Sequence, residues 1–308
     1  MSESSFIDRR PPSVSFEFFP PADEGGGRAL AQTLARLAPL APSFVSVTCG
    51  ALGSTRGRTV ETVARIARQT GLNVAPHVTC IDADRTDIES LAERDWALGV
   101  RHIVALRGDV PSAFGAPRWE DGYAFAANLV AGLREVRDFE ISVAGYPQTH
   151  PEASSPVADI EHLKAKCDAG AGRVITQFFF EADEFLRFRD RCVAAGIAVP
   201  IVAGVLPVAR FGQLLRFAAR CGLSVPGWLA RRFDGLDEDA LVRELIAASV
   251  AIELVDHLRR EGVDQFHIYT LNRSELTYAI CHHLGLRSTT NGRAGHCQVG
   301  DLRLQSSC

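Results

Sequence analysis

The chain has no CxxC pair, no apolar run long enough to cross a bilayer and no large excess of charge of either sign. Each absence excludes something. The eight cysteines, at 49, 80, 167, 192, 221, 281, 297 and 308, read as small hydrophobes of helices and strands rather than as a disulfide framework. His77-Val78-Thr79-Cys80 and Cys281-His282-His283 lack partner pairs at zinc spacing, so no metal site is expected. With no spanning segment, the membrane interior is not the expected environment. A net charge of −4 gives no electrostatic reason to expect nucleic acid or an anionic membrane as partner. Met1 to Pro12 is polar and lacks the apolar centre of a signal peptide, so a cytoplasmic protein is expected. Phosphate-binding fingerprints are missing too. There is no Walker A, and the pair Gly170 and Gly172 precedes a strand instead of following one, which fails the Rossmann context.

What remains is an ordinary globular composition, 46% hydrophobic and 23% charged over 308 residues. Val14-Ser15-Phe16-Glu17-Phe18-Phe19-Pro20-Pro21 stands out within it. Aromatic and β-branched residues favour a strand, and the proline pair stops it. Alternation puts Ser15, Glu17 and Phe19 on one side and Val14, Phe16 and Phe18 on the other. A carboxylate among phenylalanines is costly to ionise, so desolvation should raise the pKa of Glu17, as a general acid needs. The competing reading is a structural glutamate paired with a cation from another strand.

The remaining chain alternates strand and helix patterns. After a loop at Gly25 to Gly27, a helix is expected over Arg28 to Leu40. Strands follow at Phe44–Cys49, Asn73–Cys80, His102–Leu106, Glu140–Tyr146, Arg173–Phe180, Pro200–Pro207 and Phe266–Leu271. Helices are expected between them at Thr59–Gln69, Asp84–Leu98, Tyr123–Arg137, Val157–Ala169, Asp183–Ala195, Phe211–Cys221 and Asp237–Glu261, with a last one at Ser274–Leu284. A long loop, Val110 to Gly122, interrupts the series. Strict alternation argues for parallel strands. Eight such units predict an α/β fold of one closed β8α8 barrel. The expected organisation is an N-terminal arm at 1–12, the barrel at 13–287 and a mobile tail at 288–308.

Active sites of such barrels form at the C-terminal strand ends. Here those ends carry Glu17, Thr48, His77, Arg107 with Asp109, Tyr146 with His150, Gln177, and Arg273 just beyond Tyr269. Taken singly, each could cap a strand or satisfy a loop. His77 could be a hydrogen-bonded core histidine, Lys166 a solvated surface charge, and Arg107-Gly108-Asp109 a turn with a local ion pair. Gln177, followed by three phenylalanines, needs partners for its amide, which a ligand can supply.

Several of these stretches resemble the bacterial methylenetetrahydrofolate reductase family. They are VSFEFFPP (14–21), FVSVTCGA (44–51), APHVTCIDA (75–83), RHIVALRGD (101–109), ISVAGYPQTHPEA (141–153), ITQFFF (175–180), LRFRDRC (186–192), FDGLD (233–237) and FHIYTLNRSE (267–275). The resemblance implies a β8α8 barrel that binds FAD non-covalently without a Rossmann domain. It implies NADH or NADPH as co-substrate, and reduction of 5,10-methylenetetrahydrofolate to 5-methyltetrahydrofolate for methionine synthesis. It makes Glu17 the acid that protonates the folate nitrogen as the methylene bridge opens, before the reduced flavin delivers hydride. It makes Asp109 a catalytic residue that tunes the flavin and also lies beside the substrate. Flavin contacts are implied for Thr48, Cys49, Ala51, His77, Arg107, Gly108, Asp109, Ala126, Tyr146, His150, Ala153, Asp159, His162 and Lys166. The substrate side is implied for Glu17, Asp109, Gln177, Gln213, Phe217 and Arg273. One pocket serving both substrates implies ping-pong kinetics. Homo-oligomers, tetramers or dimers, are common in the family.

The chain departs from the family pattern at Cys49, His162 and Ala165, where tyrosine, asparagine and a basic residue are frequent. All three lie in flavin-binding stretches. The long 110–122 loop leaves the alignment at Ala126 open. The chain has no room for the regulatory domain of eukaryotic relatives, so control by S-adenosylmethionine is not expected. Two other readings stay in play: a flavin-free barrel lyase using Lys166 or Glu17, and a flavin- or folate-binding protein without turnover.

Overall fold

A computed structural model describes residues 11–50, 55–81, 83–108, 121–208 and 210–288. The strands β1 (Ser13–Phe18), β2 (Val45–Val47), β3 (Val74–Thr79), β4 (His102–Leu106), β5 (Glu140–Gly145), β6 (Arg173–Thr176), β7 (Ile201–Val205) and β8 (Gln265–Tyr269) close into one barrel in sequence order. All neighbours are parallel, and β1 pairs with β8 with Ser15 opposite His267 and Glu17 opposite Tyr269. Each strand therefore delivers its C-terminal end to the same rim. The helices connecting the strands are α1 (Glu24–Leu37), α2 (Arg56–Gln69), α3 (Arg85–Ala97), α4 (Ala126–Val136), α5 (Pro156–Asp168), α6 (Ala182–Ala194) and α7 (Phe211–Arg220), then α8 (Gly227–Phe233) and α9 (Ala240–Arg260). After β8 comes α10 (Glu275–His283).

Strand alternation divides the side chains. Val14, Phe16 and Phe18 of β1 enter the main apolar layer with Leu30, Leu34 and Leu37 of α1. Burying a phenylalanine such as Phe16 contributes roughly 1.5–3 kcal/mol. The opposite face of β1 turns Ser15 and Glu17 into the barrel, where Phe44, Ala75, Val104 and Ile175 form a small separate cluster. A third cluster, including Phe178, Phe180, Leu214, Leu229 and Phe233, seats α7 and α8 over the β6–β7 side of the rim.

Several features differ from the expected pattern, among them the start of α2 at Arg56, which puts Thr59 inside the helix, and that of α4 at Ala126. Gly25 to Gly27 belong to the first turn of α1, because Asp23 caps it by accepting from the Gly26 N–H at 2.7 Å. Strand β6 stops at Thr176, since Phe178 and Phe180 leave the ladder to fill the third cluster. The chain between α7 and α9 contains α8, which follows Pro226 and buries Leu229 and Phe233. Helix α9 starts at Ala240, where the Asp239 carboxylate accepts from the Val242 N–H at 3.0 Å. Most of the 110–122 loop, the arm up to residue 10 and the tail from 289 lie outside the described residues. Among the described residues no helix is long and apolar enough to cross a membrane.

Candidate active site

Glu17 sits near the C-terminal end of β1, its side chain only 14% exposed. Two imidazoles face the same carboxylate oxygen. His77 Nε2 from β3 lies 3.3 Å from Oε2, and His267 Nε2 from β8 lies 3.4 Å from it. His267 is held in turn by Ser15, whose Oγ is 2.7 Å from Nδ1. If the Ser15 hydroxyl donates to Nδ1, His267 carries its proton on Nε2 and donates to Glu17. The ring of Tyr269 meets His267 edge-on at 5.3 Å, and its hydroxyl donates to the Thr176 carbonyl at 2.7 Å. These contacts leave His267 little freedom to rotate.

The expected rise in the Glu17 pKa is corrected here. Burial does push the carboxyl up, but the contacts with His267 and His77 outweigh it and bring it down to about 2. The flanking Phe16 and Phe18, which motivated the expectation, point into the opposite layer and do not surround the carboxylate. Unliganded, Glu17 is an ionised carboxylate held by two imidazoles.

The cofactor-side positions gather on the neighbouring strand ends. Thr48 and Cys49 follow β2, with the Thr48 carbonyl accepting from Thr59 Oγ1 at 2.8 Å. Burial pushes the Cys49 thiol up. Arg107 follows β4 and pairs with Glu152 at 2.6 Å. Gly108 adopts φ 91°, and a Cβ there would lie 3.3 Å from Ile81 and Thr79 side-chain carbons, so the backbone runs close against β3. Tyr146 and His150 stack edge-to-face at 4.6 Å after β5. The His150 N–H donates to Asp159 Oδ2 at 2.9 Å, and the Ala153 N–H returns to the His150 carbonyl.

Lys166 is not the solvated charge considered from sequence. Its ammonium donates to the Ala144 carbonyl at 2.6 Å, and burial pushes its pKa down to about 8. His162 is exposed on α5 and Ala126 opens α4. Ala51 and Asp109 lie outside the described residues.

On the substrate side, Gln177 holds the Phe178 N–H at 3.0 Å through Oε1 and reaches Cys221 Sγ at 3.5 Å through Nε2. Gln213 and Phe217 are half-buried on α7. Arg273 is exposed and pairs with Glu244 at 3.4 Å. Sequence reasoning missed Ser15 and His267 as partners of Glu17. The available signal was alternation: His267 and Tyr269 share one face of β8, and Phe266 and Ile268 the other.

A model of the methylenetetrahydrofolate reductase family matches residues 4–285. The chain belongs to the methylenetetrahydrofolate reductase family. The 5,10-methylenetetrahydrofolate reductase of Pectobacterium carotovorum is 53% identical over 275 residues, covering 89% of this chain and 91% of that one. That of Escherichia coli is 52% identical with the same coverage. A solved Clostridium thermocellum protein described as binding two copies of 5-methyl-5,6,7,8-tetrahydrofolic acid superposes with a TM-score of 0.59 at 11% identity. It covers 91% of this chain and 96% of its own, and shares the fold. As a member of this reductase family the protein is an enzyme of the oxidoreductase class, and the rim that carries Glu17 is its candidate active site.

The residues at this rim also suit a flavin. Thr79 Oγ1 is buried there without a well-aligned hydrogen-bond partner. Buried polar atoms in that state call for a ligand with a polar edge.

Proposed function

We propose that the protein reduces 5,10-methylenetetrahydrofolate to 5-methyltetrahydrofolate with NADH or NADPH as reductant, using FAD held non-covalently at the barrel rim. The observation that carries the reading is the Glu17 carboxylate between His77 and His267 at the C-terminal mouth, in a chain 53% identical to a reductase of that name. When bound, the flavin would supply two-electron chemistry, taking hydride equivalents from the nicotinamide and passing them to the folate. Thr48, His77, Gly108, Tyr146 and His150 would hold it, with Arg107 as the cationic partner of its diphosphate. Asp109 and Ala51 join that set on the family resemblance alone.

The chain's own task is to deliver one proton to the folate nitrogen as the methylene bridge opens. An ionised Glu17 cannot do this unaided. His77 Nε2 and His267 Nε2 both reach Glu17 Oε2, so an imidazole can supply the proton that Glu17 passes to the folate. As an imidazolium, with Nδ1–H donating to Ser15 Oγ and Nε2–H facing Glu17, His267 can pass the Nε2 proton to Oε2 and return to the neutral ring without moving, because Ser15 and Tyr269 fix it. A folate ring closing over Glu17 removes the remaining water and raises the carboxyl toward the protonated form. Gln177 offers an amide to the pterin edge, and Phe217 an aromatic face.

The test is a visible spectrum of the purified protein, under anaerobic conditions, with NADH and then methylenetetrahydrofolate. A flavin band that bleaches with NADH and returns with the folate supports both halves of the reading and the expected ping-pong order. A protein that neither holds nor takes up FAD overturns it and leaves the flavin-free lyase, for which a borohydride-trapped imine on Lys166 is the check.

A further inference from the structure

The segment that ends α7 is docked on the loop after β5 by one side-chain amide. Gln148 Oε1 accepts from both the N–H and the hydroxyl of Ser224, at 2.8 and 3.0 Å. Its Nε2 donates to the two carboxylate oxygens of Glu184 on α6, at 3.0 and 3.1 Å, and approaches the Ser224 carbonyl at 3.4 Å. The amide is thus fully used in both senses. Two residues earlier in the Ser224 segment, Gly222 has φ 66°, and a Cβ there would lie 2.3 Å from Pro151 Cγ. Only glycine permits that approach with that backbone. Next to Gly222, Cys221 meets Gln177 Nε2 at 3.5 Å.

These contacts join two halves of the rim. Gln148 sits between Tyr146 and His150 on the cofactor side. Ser224 follows α7, which carries Phe217 and Gln213 on the substrate side. We infer that Gln148 is a positioning residue, holding the end of α7 and the Gln177–Cys221 contact where the folate is received. The inference rests on the folate-reductase reading above. The direction of the hydrogen bonds makes it testable. A glutamate at 148 still accepts from Ser224 but faces the Glu184 carboxylate without a proton between them. Replacing Glu184 by glutamine then restores the donor from the other side.

The experiment compares the wild-type holoenzyme with Gln148→Glu, Glu184→Gln and the double variant, by steady-state kinetics and by hydrogen exchange over residues 221–226. Gln148→Glu is expected to raise the KM for methylenetetrahydrofolate by about tenfold, with kcat changed by less than about threefold. Exchange over 221–226 should quicken. The defect should shrink at lower pH, where one of the two facing carboxylates takes up a proton. The double variant should return KM and exchange to within about threefold of wild type, a coupling that a general loss of stability does not produce. Ser224→Ala, which keeps the N–H, should give a smaller effect of the same kind. Faster exchange without a change in KM overturns the positioning role, and unchanged exchange overturns the clamp itself. Wild-type enzyme that turns over no folate overturns the functional reading instead, and the exchange measurement still judges the clamp.

Discussion

Glu17 and His267 face each other across the seam that closes the barrel, with Oε2 and Nε2 3.4 Å apart on β1 and β8. They are 250 residues apart in the chain, and parallel pairing of the first strand with the last brings them together. Contacts with His267 and with His77 bring the buried carboxyl down to about 2.

Glu17→Gln should keep FAD binding and flavin reduction by NAD(P)H and lose folate reduction by a factor of about 10²–10⁴, the usual contribution of a positioned acid. Rapid-mixing measurements of the two half-reactions check this. Slowed flavin reduction in the variant would count against the role given to Glu17.

His267→Ala removes the strongest of the contacts that lower the Glu17 carboxyl from the burial-raised value. The folded pKa should then climb, and the alkaline limb of the pH–rate profile for folate reduction, where the acid loses its proton, should move to higher pH. Ser15→Ala should shift it the same way but less, since it loosens His267 without removing it. The same depression has a stability consequence. A carboxyl near 2 in the folded state and near 4.5 unfolded stabilises the fold above pH 4.5, and that contribution is lost as pH falls toward 2. Urea midpoints of Glu17→Gln should fall less steeply than those of wild type across that window.

Lys166 gives a slope of the same sign in an alkaline window. Its folded pKa is pushed down to about 8 from an ordinary 10.5, so the folded state binds fewer protons than the unfolded chain between those values. Wild-type stability should rise with pH from about 8 to 10.5, and Lys166→Met should lack that rise. Denaturant melts at pH 7.5 and 10 on both proteins measure it. A slope common to both would show that another group is responsible.

Arg107 reaches Glu152 at 2.6 Å, and Glu152 is more than half exposed. A flavin diphosphate would compete with that carboxylate for the guanidinium. Glu152→Gln should therefore tighten FAD binding, by no more than about fivefold given the modest worth of exposed ion pairs. Arg107→Ala should weaken it. Titration of flavin-stripped protein, followed by fluorescence quenching, gives both constants.

Local rules were enough for most of the architecture. Hydrophobic periodicity located every strand, and the expected start of the third helix at Asp84 lies one residue from the observed one, because Asp84 is the cap, accepting from the Asp87 N–H at 2.8 Å. Those rules failed where a distant contact decided the outcome. Helix α8 is seven residues long and exists because Leu229 and Phe233 have a cluster to enter. The glycines at 25–27 read as loop because glycine is a poor helix former, yet one capping aspartate and the first turn absorb them.

The same division runs through the site. The amino-acid sequence by itself determined the barrel, the rim, and the presence of an acid at the end of the first strand, because alternation and strand order are local properties of the chain. It could not determine the charge of that acid. The phenylalanines beside Glu17 in sequence turn away from it, and the imidazoles that hold it ionised arrive on β3 and β8. A pKa answers to what lies within a few ångströms, and only the closed barrel decides which groups those are.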